Sequence, residues 1–163
     1  MKNSHLEEKH KFTQPIINSM KTLLKGEITL SESYKKWIVK ANVKWNKRYI
    51  RINLDSRKTD LVTDFSICSL TKAKFFTFLS RSDSYNFSGK KSEYSELLLE
   101  SVETQYLMDS KNPIIKLEGK SLIFEGGIRK KDISSLSNVF KLFEILMDEI
   151  EWKQKESVTQ HHV

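Results

Sequence analysis

The spacing of apolar residues changes period along this chain, and that change restricts the fold to a mixed one. Phe12, Ile16, Met20, Leu23 and Leu24 recur at the spacing that lines one face of a helix. Thr13 can cap that segment, Pro15 suits its first turn and Gly26 can end it. From Arg48 to Leu54 the repeat shortens to two, with Ile50, Ile52 and Leu54 on one side and Tyr49, Arg51 and Asn53 on the other. That is the pattern of a strand with one buried face. Val43 and Trp45 alternate in the opposite phase, so the slip near Asn46-Lys47 predicts a tight turn or bulge. Asp55-Ser56-Arg57-Lys58 reads as a turn, and strands are predicted over 61–70 and 74–80. The second of these is rich in Phe75, Phe76 and Phe78. A serine-rich loop over 81–92 has room for a short strand around Tyr85–Phe87.

The helical period also predicts a second N-terminal helix from Glu32 to Ala41, capped by Ser31, with Tyr34, Trp37, Ile38 and Ala41 on one face. A central helix is predicted from Glu93 to Met108, with Tyr94, Leu97, Leu98, Val102 and Tyr106 available for burial and Asn112-Pro113 beyond its end. Ile114–Leu117 and Leu122–Phe124 flank Glu118-Gly119-Lys120, a hairpin signal, and Gly126-Gly127 predicts the next turn. Asp132 is placed to cap a long helix to about Trp152, striped by Ile133, Leu136, Phe140, Phe143, Met147 and Ile150. This order predicts an α+β fold: an antiparallel sheet with two N-terminal helices, a central helix, a β-hairpin and a long C-terminal helix. A chain of 163 residues suits one domain over 1–163, with 1–10 and 153–163 as flexible polar tails.

Charge is unevenly spread. Residues 35–91 hold 14 basic and four acidic side chains, whereas 92–163 hold nine basic and 13 acidic. Between Glu32 and Asp55 lie Lys35, Lys36, Lys40, Lys44, Lys47, Arg48 and Arg51 with no acid among them. Concentrated charge of one sign is the footprint of an anionic partner, and its bland counterpart is a solvated, solubilising face. The seven cations form the candidate binding surface.

Catalytic signatures are sparse. The histidines are His5, His10, His161 and His162, all in the polar tails, so no imidazole is expected in the folded region to act as a general base or metal ligand. No glycine-rich phosphate loop or nucleophile elbow occurs. Cys68, in Phe65-Ser66-Ile67-Cys68, reads as a small buried hydrophobe, and a single cysteine fits a reducing cytoplasm. Asp60 and Asp64 sit four apart near a predicted strand and could act as a carboxylate pair. Glu93, Glu96, Glu100 and Glu103 read as a solvated helix face. No apolar run approaches the roughly 18–20 residues of a membrane span.

Two patterns bear on partners. Trp45 and Tyr49 interleave with Lys44, Lys47, Arg48 and Arg51, and Lys72-Ala73-Lys74-Phe75-Phe76-Thr77-Phe78 loosely resembles the aromatic strand of RNA-recognition modules, without their glycines. The region from about Tyr34 to Ile150 resembles an uncharacterised family of prokaryotic α+β domains often fused to membrane helices. The likeness runs through Lys47-Arg48-Tyr49-Ile50-Arg51-Ile52, Thr63-Asp64-Phe65-Ser66-Ile67, Phe76-Thr77-Phe78-Leu79, Ser95 to Leu107, Ile114 to Phe124 and Asp132 to Ile150. Val43-Lys44-Trp45 stands where that family has glycines. The resemblance implies the fold and brings no activity or catalytic residue with it. The expectation is a non-enzymatic cytoplasmic domain, without cofactor or metal, that binds another protein through its basic surface. Nucleic acid and an anionic membrane surface are the alternatives.

Overall fold

The computed structural model describes residues 9–73 and 85–161. In chain order the elements are α1 (Thr13–Thr22), β1 (Gly26–Tyr34), β2 (Trp37–Trp45), β3 (Tyr49–Lys58), β4 (Phe65–Lys72), β5 (Tyr85–Gly89), α2 (Glu93–Glu100), α3 (Val102–Leu107), β6 (Lys111–Gly119), β7 (Ser121–Arg129) and α4 (Leu136–Gln160), with a 3-10 turn over Lys130–Ser135. The strands form one antiparallel sheet in the order β1-β2-β3-β7-β6-β4-β5. The fold is thus α+β, a single sheet with helices on one face.

Strand alternation places the core. Trp37, Val39, Ala41, Val43 and Trp45 of β2 and Ile50, Ile52 and Leu54 of β3 are buried, with Leu122 and Phe124 of β7 and Ile115 and Leu117 of β6 beside them. Phe12, Ile16 and Met20 pack on this surface from α1 and its approach, and Leu136, Phe140, Phe143, Met147 and Ile150 pack on it from α4. Each such side chain taken fully out of water contributes about 1.5–3 kcal/mol. Among the described residues no helix is long and apolar enough to cross a membrane.

The strand at 49–54, the Glu118–Lys120 hairpin and the apolar stripe of α4 stand as the sequence predicts. Five expectations are corrected. The predicted helix from Glu32 to Ala41 is instead the end of β1, a turn and the start of β2. Its apolar residues continue as a period-two run through Trp45, and β-branched Ile38, Val39 and Val43 suit a pleated surface. Asp55–Lys58 is not a turn but the end of β3, in register with β2. The central helix is broken at Ser101, whose extended backbone (ψ 132°) closes α2 and opens α3. The break shifts the buried face, so Thr104 and Leu107 are inside while Val102 and Tyr106 are exposed. Gly126 and Gly127 lie inside β7, not in a turn. The long helix starts at Leu136 without a side-chain cap and runs on to Gln160. The predicted strand at 74–80 lies outside the described residues.

Candidate cationic interface

Strand order decides which cations meet. The β2–β3 turn is held by Asn46, whose side-chain oxygen accepts from the amides of Arg48 (2.8 Å) and Tyr49 (2.9 Å). Lys47 and Arg48 therefore project from a fixed turn, and both are exposed. Beyond the turn, the carbonyl of Arg48 accepts from the amide of Lys130 at 2.8 Å, joining it to the end of β7. On the outer face, register aligns Glu27, Lys44, Arg51, Gly127 and Lys111 across five strands. Gly127 leaves a gap in that row. The Arg51 guanidinium spans it to donate to the carbonyls of Lys111 (3.2 Å) and Asn112 (3.1 Å), and also meets Glu125 at 3.2 Å.

Two clefts flank Tyr49 at this end of the sheet. One, of about 590 Å³, is lined by Lys25, Gly26, Glu27, Lys44, Trp45, Asn46, Tyr49 and Arg51. The other, of about 460 Å³, includes Lys72, Asp109, Lys111, Arg129 and Asp132. Together they present six cations and three acids, before Lys47 and Arg48 are added. The Lys111 ammonium lies 3.8 Å from the Tyr49 ring centroid, so one ring face already holds a cation. The Trp45 indole is buried against Gly26, where a Cβ would come within 2.5 Å of it, and its N–H donates to the carbonyl of Leu23 at 2.9 Å.

Of the seven cations singled out by sequence, Lys44, Lys47, Arg48 and Arg51 gather here. Lys40 lies mid-sheet opposite Asp55. Lys35 and Lys36 form the β1–β2 turn at the far end of β2, roughly 27 Å away for eight steps of a strand. There Lys35 meets Asp148 at 2.6 Å, and that hydrogen bond holds its ammonium pKa above the ordinary value. Lys36 meets Asp60 at 3.2 Å. The seven therefore do not make one surface. Lys25, Lys72, Lys111 and Arg129 complete the cationic end instead. They lie far apart in the chain, and only the pairing of β7 and β6 beside β3 brings Lys111 and Arg129 to it.

Other candidates resolve differently. Asp60 is held by Lys58 and Lys36: partial burial pushes its carboxyl up, but hydrogen bonds from both lysines outweigh this and hold it below the usual range. Asp64 is exposed and lines neither cleft. Cys68 is buried, which pushes its thiol up and away from thiolate chemistry. His10 is packed rather than free: its side chain is 7% exposed, Nδ1 accepts from the Phe12 amide and Nε2 meets Glu144 at 2.5 Å. Among the described residues no group of three or more His, Cys, Asp and Glu is placed to hold a metal ion. Glu103 pairs with Glu149 in a cleft between α3 and α4. Burial and the Glu103 hydrogen bond raise Glu149 to about 7, and the Glu149 hydrogen bond lowers Glu103. The Lys74–Phe78 aromatics lie outside the described residues. Comparison with protein-family models, with curated proteins and with solved structures found no match.

Proposed function

We propose that this protein is a non-enzymatic binding module that docks the cationic end of its sheet on an anionic macromolecular surface. The row Lys44–Arg51–Lys111, extended by Lys25 and Arg129, carries this reading. Antiparallel pairing converts sequence-distant cations into one concave face with too few acids to neutralise it. The exposed parts of that face are lysine heads and the guanidiniums of Arg48 and Arg129, which suit a distributed anion rather than a small substrate. Lys111 over the Tyr49 ring and the burial of Trp45 leave little ring face for stacked bases, which favours an acidic surface over single-stranded nucleic acid.

Retention on a polyglutamate matrix tests the reading. The wild type is expected to bind at low salt and elute as ionic strength rises. K25E/K44E/K111E is expected to pass through, whereas K35E/K36E, altered at the paired end, should elute with the wild type. Equal behaviour of the two variants would refute a localised site. Preferential binding of duplex DNA, with a steep salt slope, would redirect the reading to nucleic acid.

A further inference from the structure

At the cationic end, the chain leaves α1 through Leu23 and Leu24, which are 55% and 69% exposed. Their position is fixed. The Leu23 carbonyl accepts from the Trp45 indole at 2.9 Å, and Gly26, three residues on, pairs with Trp45. The two leucines therefore sit at the rim of the larger cleft, bracketed by exposed Lys21 and Lys25 and beside Lys44. Two adjacent leucines held in water on a rigid corner are unfavourable unless something apolar takes them up. An acidic protein face or a nucleic acid would satisfy the cations and leave these side chains wet. A bilayer satisfies both, because headgroup phosphates meet the lysines while the leucines enter the acyl boundary beneath them.

We infer that this corner docks on anionic lipid bilayers, with Leu23 and Leu24 as a shallow apolar wedge and Lys21, Lys25, Lys44 and Lys47 as its headgroup contacts. The inference rests on the cationic-end reading and names its partner. Each leucine buries a modest area, so neither lipid charge nor the wedge alone suffices. Binding requires both, in the way one acyl chain needs a basic patch for stable anchoring.

Flotation of the full chain with vesicles separates the two readings. The wild type is expected to float with phosphatidylcholine vesicles carrying about one-third phosphatidylserine, a composition giving a negative surface potential, and not with pure phosphatidylcholine. L23S/L24S should lose about tenfold or more in vesicle affinity while keeping its retention on polyglutamate. Leu24→Gln alone, at a side chain outside the packed core, should show a smaller loss in the same direction. Unchanged flotation of L23S/L24S overturns the wedge. A wild type that binds polyglutamate but no vesicle overturns the lipid assignment and leaves the cationic site standing, and one that binds neither removes both.

Discussion

The two ends of strand β2 carry similar side chains and have opposite electrostatic fates. At its start, Lys35, Lys36 and the neighbouring Lys58 each meet an acid: Asp148, Asp60, and Asp60 with Glu151. At its end, Lys44 meets only Glu27, at 3.7 Å, among the described residues, and Lys25, Lys47, Arg48 and Lys111 add further positive charge around it. The difference comes from α4, which carries Asp148 and Glu151 to the first end, and from Asp60, which follows β3 there. Charge density along a sequence is therefore not surface charge. What a lysine does depends on which helix crosses the sheet above it.

Lys58 shows how far the neutralised end is structural. Its side chain is fully buried, bonded to Glu151, 2.6 Å from Asp60 and 5.2 Å from the Trp37 ring centroid. It ties β3 to α4. Lys58→Met would leave the part-buried Glu151 facing Lys155 at 3.8 Å and Asp60 facing Lys36 at 3.2 Å, at an expected cost of about 3 kcal/mol in urea unfolding, the lower end for breaking a buried pair. The control is K25E/K44E/K111E, expected to shift stability by no more than about 1 kcal/mol because those side chains are solvated. A large destabilisation of the triple variant would break the contrast between a structural end and a binding end.

A smaller effect sharpens the same contrast at a third place. Glu149 titrates near 7 in the folded chain and near 4.5 unfolded. Between those values the folded state holds a proton that the unfolded state releases, so this group makes stability fall as pH rises across the window, levelling above about 7. Glu103, lowered by the same bond, works in the opposite sense and loses its contribution as pH falls below the ordinary carboxylate range. Glu149→Gln keeps a donor to Glu103 and removes the ionisation. Because the site is partly solvated, the expected gain is about 1 kcal/mol or less at about pH 8, and close to nothing at about pH 5. Thermal unfolding at both pH values checks this, and a loss at the higher pH would count against a shared proton.

Much of the fold is legible from residue spacing alone. Ile50, Ile52 and Leu54 mark β3, Glu118-Gly119-Lys120 marks the β6–β7 hairpin, and the stripe from Leu136 to Ile150 marks α4. The β1–β2 hairpin is not legible, because its two-residue turn is Lys35-Lys36, with Lys35 at φ 50° where glycine or asparagine usually signals a turn. The break at Ser101 is equally hidden: a serine inside a helical pattern does not announce that its own backbone is extended. The site was half legible. Lys44, Lys47, Arg48 and Arg51 stand together in sequence and in space, but Lys111 and Arg129 join them only through long-range strand pairing that no local pattern encodes. The packing of His10 is hidden for the same reason, since its partners Ser137 and Glu144 lie more than a hundred residues away.

Lysine acetylation footprinting in the presence of polyglutamate addresses the central contrast most directly, since it reports each lysine separately in the unaltered chain. Lys25, Lys44, Lys47 and Lys111 should be shielded from the reagent, while Lys35 and Lys36 react at the same rate with and without the polyanion. Shielding spread evenly over both ends of β2, or concentrated at Lys35 and Lys36, would contradict a single cationic docking face.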